Sequence, residues 1–184
     1  MVLPMYIFGQ PILRKEAEDI TKDYPGLQEL IQDMYETMRK ADGVGLAGPQ
    51  VGLPIRLFVI DLDPVKEDNP QYAGFLHAFI NPQILETSEE TENMEEGCLS
   101  LPGIHENVRR PKSIHVTYFD ENWTEHDEWI DGFFARVFQH EYDHLDGTLF
   151  VDHLSSLRKQ MIKKKLVNMS RGNFSCSYKV KGQR

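Results

Sequence analysis

Residues 139–144, QHEYDH, contain two histidines four positions apart, with a glutamate directly after the first. On a helix, His140 and His144 fall on the same face, one turn apart. Histidines at this spacing bind zinc-type divalent metals, and a neighbouring glutamate such as Glu141 acts as a general base toward a water molecule. The sequence therefore predicts a metal-dependent hydrolytic site on one helix.

The third ligand of this metal site is not part of the motif. A catalytic site of this kind takes three protein ligands and keeps a further position open. His153, Asp143 and Asp146 follow the first histidine closely in the sequence. Cys98, in EEGCLSLPG (95–103), lies in a constrained turn, and a thiolate binds such metals strongly. The residues alone leave all four candidates open.

Three motifs taken together resemble the peptide deformylase family: GVGLAGPQ (43–50), EGCLS (96–100) and QHEYDHLDG (139–147). They occur in the family's order and at similar spacing, and the resemblance extends from near residue 14 to near residue 155. One departure is Gly48, at a position where alanine is usual. The resemblance implies an enzyme that removes the formyl group from the N-terminal formyl-methionine of new polypeptides and releases formate.

The resemblance also implies a ligand set. Cys98 joins His140 and His144 around one divalent metal, which in this family is typically Fe²⁺, with Zn²⁺, Ni²⁺ or Co²⁺ as alternative occupants. The ligands by themselves do not discriminate among these metals, because nitrogen and sulfur donors accept several of them.

Further roles follow from the same resemblance and from the chemistry of amide hydrolysis. Glu141 is expected to transfer the proton, whereas the Gln50 side chain and the Leu99 backbone N–H are expected to stabilise the developing oxyanion. Gly45 is expected to bind the substrate main chain, and Arg136 to shape the mouth of the methionine pocket. The pocket itself is assigned to Val44, Phe133 and Val137, although core packing explains these three equally well.

The elements that position these residues follow from hydrophobic periodicity. Phe133 and Val137 share one helical stripe with the two histidines, so the metal-binding helix (131–147) must be buried on that face. Helices separated by groups of strands favour an α+β fold, with antiparallel sheets packed around the central metal-binding helix. The other predicted helices are 26–40 at the N-terminal side and 154–170 at the C-terminal side. The predicted strands are 55–62, 77–85 and 113–120, with a turn at 121–126 and a half-buried strand pattern around the core residue Cys176.

Length and composition predict a single domain covering residues 1–184. The chain is 40% hydrophobic and 27% charged, and it has two cysteines, so no disulfide framework is expected. It shows no basic leader and no run of about 18 apolar residues. We therefore expect a cytoplasmic enzyme with no membrane partner.

Charge is distributed unevenly along the chain. Residues 155–184 contain nine Lys or Arg and no acidic residue, whereas residues 1–154 carry a net charge of −18. A basic segment on an acidic protein suggests a polyanionic partner, and we expect ribosomal RNA rather than DNA. Two alternatives stay open: a general metalloprotease, and a nucleic-acid-binding module led by the basic segment.

Overall fold

The computed structural model describes residues 1–182. Within this range the helices are α1 (Leu27–Lys40), α2 (Gly132–Leu145) and α3 (Ser156–Ser170). The strands are β1 (Gly45–Ala47), β2 (Leu57–Asp61), β3 (Leu76–Thr87), β4 (Thr91–Cys98), β5 (Leu101–Pro111), β6 (Ser113–Phe119) and β7 (Glu125–Asp131). The predicted α+β class is confirmed.

The strands form two antiparallel sheets. Five of them make one sheet in the order β1-β2-β3-β6-β7, and β4 and β5 make a separate long hairpin. All five residues of β2 are buried, as expected for the compact apolar run at 55–62. The large sheet supports the helix that carries the QHEYDH motif.

Helix α2 lies between the large sheet and the hairpin. On the sheet side, the Phe138 ring packs edge-on against Phe58, with centroids 5.0 Å apart, and against Phe79, at 5.5 Å. On the hairpin side, Gln139 donates to the Pro111 carbonyl and Arg136 donates to the Val108 carbonyl. These contacts on two faces confirm that α2 is the central helix. The large sheet and the hairpin together fix its position.

The two flanking helices are confirmed as well. Helix α1 buries Ile31, Met34 and Met38 completely, which matches the predicted helical spacing. Helix α3 begins at the cap residue Ser155, whose hydroxyl accepts a hydrogen bond from the Arg158 N–H at 3.3 Å. Most of α3 is exposed, so this helix lies on the surface of the molecule.

Three segments differ from the sequence-based predictions. The hairpin β4–β5 was not predicted, and β7 includes residues that were interpreted as part of a turn. The GVGLAGPQ segment contains β1 and the 3-10 turn Gly48–Val51. Residues 174–180 keep the alternating burial that the sequence predicts, yet Val180, bridged to Met5, is the only residue among them with strand pairing.

No helix among residues 1–182 is both long enough and apolar enough to span a bilayer.

Candidate active site

Three side chains from two elements meet at one point: Cys98 from β4, and His140 and His144 from α2. One potential ligand atom from each lies within 4.8 Å of the others. Cys98 Sγ is 3.4 Å from His144 Nε2. At usual metal–ligand distances, sulfur and nitrogen ligands in a tetrahedral site are about 3.6 Å apart. The donor set therefore fits a single metal ion.

The local sequence explains why these side chains converge. His140 and His144 lie one turn apart on α2 and are only 9% and 1% exposed. Cys98 is the last residue of β4 and pairs with Leu101, so the chain reverses through Leu99 and Ser100. Burial lowers the pKa of His144 well below its usual value. This keeps the ring neutral, the form that binds a metal.

Glu96, two residues before Cys98, orients the first histidine. Its Oε1 atom lies 2.8 Å from His140 Nδ1, so the other ring nitrogen is directed toward Cys98 and His144. Arg110 and Arg136 both donate to the same carboxylate, at 2.6 Å and 2.7 Å for the closest pairs. Although burial acts in the opposite direction, the hydrogen bonds from His140 and Arg110 hold the pKa of Glu96 well below its usual range. The sequence patterns did not predict a role for Glu96.

The three alternative third ligands are engaged elsewhere. Asp143 accepts from Arg110 at 2.9 Å, and its same oxygen lies 2.8 Å from His153 Nε2. Asp146 pairs with Arg56 at 3.1 Å. Within residues 1–182, the metal-capable group consists of Cys98 and the two histidines of the motif.

Glu141 is a buried carboxylate beside this group. It is 3% exposed, and burial raises the pKa of Glu141 to about 7. Its Oε2 atom has no hydrogen-bond partner among the described residues. A buried, unpaired carboxylate oxygen costs free energy unless another group binds it. This oxygen is therefore available to a water molecule or a substrate.

The Gln50 amide has a defined orientation. Its Oε1 atom accepts from the Ala47 N–H at 2.9 Å, so the opposite amide atom must be the NH2 group. That group donates to Ser100 Oγ at 3.1 Å and to Cys98 Sγ at 3.4 Å. The uncharged donor expected from the sequence thus lies directly beside the thiol.

Gly48, the departure from the usual motif, has a steric explanation here. A β-carbon at this position would lie 2.9 Å from the Ile55 carbonyl oxygen and 3.0 Å from that of Leu53. Because the Leu53 N–H also donates to the Gly48 carbonyl at 3.0 Å, the backbone of this turn packs closely on itself. The 3-10 turn that contains Gln50 is therefore held without a side chain at residue 48.

A cleft of about 450 Å³ opens onto these groups. Every sequence-predicted site residue except His144 lines it: Val44, Gly45, Gln50, Cys98, Leu99, Phe133, Arg136, Val137, His140 and Glu141. The Arg136 guanidinium is buried and donates to Glu96 and to the carbonyls of Glu92 and Val108. Arg136 therefore braces the wall of the cleft as well as lining it.

Residues 175–178 also line this cleft, a position that the sequence patterns did not predict. Cys176, interpreted from its alternating neighbours as a core residue, is partly exposed and lines the cleft instead. The alternating sequence around Cys176 correctly predicted that residues 174, 176 and 178 are less exposed than their neighbours. It did not predict that the Cys176 side chain faces the cleft.

One thiol, two imidazoles and an unpaired buried carboxylate around a single cleft define the class of a metal-dependent hydrolase. Comparisons with known proteins give the family. Residues 2–160 match the family model described as polypeptide deformylase. A peptide deformylase from Christiangramia forsetii is 49% identical over 98% of this chain and 96% of its own length. One from Flavobacterium psychrophilum is 48% identical over 98% and 97%.

Solved structures agree with this assignment. The fold is similar to peptide deformylase from Plasmodium falciparum, with a TM-score of 0.82 and 34% identity over 91% of this chain and 95% of that one. It is also similar to an Ehrlichia chaffeensis peptide deformylase in complex with actinonin, with a TM-score of 0.81 and 36% identity over 91% and 96%. The chain belongs to the peptide deformylase family. It is a hydrolase that removes the N-formyl group from newly made polypeptides.

Proposed function

We propose that Cys98, His140 and His144 hold one divalent metal ion. Glu141 is the proton-transfer group of the deformylation reaction. Residues 1–184 form a single catalytic domain in this proposal. The observation that supports this most strongly is the spacing of 3.4 Å between Cys98 Sγ and His144 Nε2. A divalent metal at these ligands supplies Lewis-acid chemistry that makes water acidic enough to lose a proton near neutral pH.

Glu141 then moves protons at its Oε2 atom. This oxygen is buried and has no partner among the described residues, so it can accept the proton of the attacking water. Attack on the formyl carbon leaves the departing amine in need of a proton, which Glu141 returns. A carboxyl group whose pKa burial raises is suited to both transfers.

Negative charge develops on the formyl oxygen during this attack and requires donors that are already oriented. The Gln50 NH2 group is one candidate, because Ala47 fixes the amide from its other side. Its contact with Cys98 Sγ is the one we expect a substrate oxygen to replace, because sulfur is a weaker hydrogen-bond acceptor than oxygen. We propose the Leu99 N–H as the second donor.

The substrate is proposed to be a formyl-methionyl peptide in the cytoplasm, where new polypeptides are made. Val44, Phe133 and Val137 line the cleft together with Cys98 and His140, and they supply apolar surface for an unbranched thioether side chain. Gly45 offers main-chain groups to the peptide.

We infer Fe²⁺ as the native metal, with Zn²⁺, Ni²⁺ or Co²⁺ as alternatives. One experiment tests the metal and the reaction together: purification without oxygen or chelator, metal analysis, and a formate-release assay on a formyl-Met-Ala-Ser peptide. We expect about one metal ion per chain and release of formate, with internal peptide bonds left intact. Preferential cleavage of internal bonds in a longer peptide would instead support a general metalloprotease.

A ribosome contact through the basic segment 155–184 is a further part of the proposal. Lys163, Lys164 and Lys165 are exposed on α3, and exposed lysines bind phosphate backbones in a salt-dependent way. Arg158 contributes less to this surface, because it forms a bidentate pair with Glu106.

The ribosome contact is best tested without truncation, because α3 buries Ile162 and Met169 in the core. The triple change of Lys163, Lys164 and Lys165 to Gln should weaken co-sedimentation with ribosomes at low salt. The matched control changes three exposed lysines elsewhere, Lys15, Lys22 and Lys66. Equal co-sedimentation of both variants and the wild type would end this part of the proposal.

A further inference from the structure

The C-terminal segment 173–182, here called the tail, borders the active-site cleft, although the match to the family model ends at residue 160. Residues 175–178 of the tail line the catalytic cleft. Two hydrogen bonds fix the tail to the N-terminal segment: the Met5 N–H donates to the Lys179 carbonyl at 2.9 Å, and the Lys181 N–H donates to the Met5 carbonyl at 2.8 Å.

The same N-terminal segment also holds the loops that carry the proposed oxyanion donors. The Tyr6 N–H donates to the Gln50 carbonyl at 2.8 Å, and the Phe8 N–H donates to the Ser100 carbonyl at 2.8 Å. Residues 5–8 therefore join the tail, the Gln50 turn and the Leu99–Ser100 turn into one hydrogen-bonded unit.

Tyr178 makes the direct contact between the tail and the site. Its hydroxyl donates to the Leu99 carbonyl at 2.6 Å. Burial raises the pKa of Tyr178, so the hydroxyl keeps its proton and remains a donor. The half-buried ring packs against the core cluster that also contacts Cys98 and Leu99.

This bond completes the anchoring of the peptide group between Leu99 and Ser100, which is joined through the Leu99 α-carbon to the group that carries the Leu99 N–H. The Leu99 carbonyl and the Ser100 N–H belong to the same peptide unit, and the Ser100 N–H donates to Cys98 Sγ at 3.4 Å. Tyr178 thus fixes one end of the unit and the thiol fixes the other. The Leu99 side chain packs closely on Gly43. A β-carbon added at Gly43 would lie 2.7 Å from Leu99 Cδ1.

We propose that Tyr178 is a positioning residue for deformylation: its hydroxyl holds the Leu99 main chain so that the Leu99 N–H points at the formyl oxygen. This inference rests on the proposed role of Leu99 described above. An oxyanion donor stabilises the transition state only if its direction is set before the reaction. Loss of the tyrosine hydroxyl should therefore lower kcat more than it weakens substrate binding.

The test compares Tyr178→Phe with the wild type in a formate-release assay on formyl-Met-Ala-Ser, using metal-loaded protein. We expect kcat to fall about tenfold, which is less than the 10²- to 10³-fold loss caused by removing a whole oxyanion donor. KM should stay within about twofold of the wild-type value, and the metal content should not change. Tyr118→Phe is the matched control. That hydroxyl bonds to Glu128 at 3.1 Å, outside the cleft, so its kcat should stay at the wild-type value.

The outcomes separate this inference from the proposed function. An active wild type with an unchanged kcat in Tyr178→Phe would overturn the role of Tyr178 and leave the proposed function intact. A wild type that releases no formate would overturn both. A parallel loss of metal and kcat in Tyr178→Phe would show that the tyrosine maintains the fold rather than the direction of the donor, and would also overturn the inference.

Discussion

Gly45 lies directly against the carboxylate of Glu141. A β-carbon added at residue 45 would lie 2.6 Å from Glu141 Oε1 and 2.9 Å from its Cδ atom. Such distances are far below van der Waals contact, so any side chain at residue 45 must displace the carboxylate. The glycine in strand β1 is therefore required by Glu141 on α2, in addition to its proposed contact with the substrate.

Gly45→Ala should consequently impair catalysis through Glu141. Because displacements of about 1 Å can cost about 10²-fold in rate, we expect kcat for formate release to fall at least about tenfold while the metal stays bound. Gly182→Ala is the control, since an added β-carbon there meets nothing within 4 Å. A wild-type kcat in Gly45→Ala would show that the carboxylate adjusts without consequence.

Glu141→Gln tests the proton transfer itself. The change keeps the size of the side chain but removes its ability to accept a proton, so we expect kcat to fall by about 10²-fold or more. The three proposed ligands are untouched, and metal analysis should give the wild-type content. Full activity in this variant would refute the role that we assign to Glu141.

Cys98→Ala tests the ligand set. The protein has one other cysteine, Cys176, which lines the same cleft but lies outside the metal-capable group. We expect Cys98→Ala to lose the metal during purification, as His144→Ala should, whereas Cys176→Ala should keep it. Retention of a full metal complement in Cys98→Ala would remove the thiolate from the site.

The sequence made the proposed metal ligands and Glu141 predictable but not the network that supports them. His140, Glu141 and His144 form a local pattern on one helix, and such patterns depend only on helical geometry. The contact between Glu96 and Arg110 joins facing strands of a hairpin and has no local signal. It arises only when the β4–β5 ladder forms.

The hairpin itself was missed for a related reason. Strand β5 does alternate, since Ile104, Glu106, Val108 and Arg110 are all buried. Two of these four are charged, so the expected apolar alternation is hidden. Arg158 compensates Glu106, and Glu96 compensates Arg110. Both partners lie outside β5, so a reading of that strand alone cannot identify its buried face.

Glu96→Gln is expected to destabilise the protein and weaken metal binding. The substitution leaves the guanidinium groups of Arg110 and Arg136 buried without their shared carboxylate, and breaking a buried pair in this way costs about 3 kcal/mol or more. It also replaces the charged acceptor that orients His140 with a weaker, neutral amide oxygen, and weakening such a partner typically reduces metal affinity by about 10- to 100-fold.

Urea unfolding and metal titration measure these two effects of Glu96→Gln. Glu106→Gln is the matched control: it breaks an ion pair of the same hairpin whose arginine, Arg158, is 46% exposed. We expect a smaller loss of stability and no change in metal affinity. If the two variants behaved alike, Glu96 would have no special role in holding His140.

His115 provides a pH-dependent prediction outside the active site. On the outer face of the large sheet, its two ring nitrogens contact Asp127 and Glu86, and hydrogen bonds to these carboxylates raise the pKa of His115. A histidine pKa that is higher in the folded state stabilises the fold below the unfolded pKa, near 6.5. That contribution disappears as the pH rises through the folded-state pKa. The difference in unfolding free energy between the wild type and His115→Gln, measured by urea unfolding, should therefore be larger at pH 5.5 than at pH 9. The same difference at both pH values would contradict the prediction.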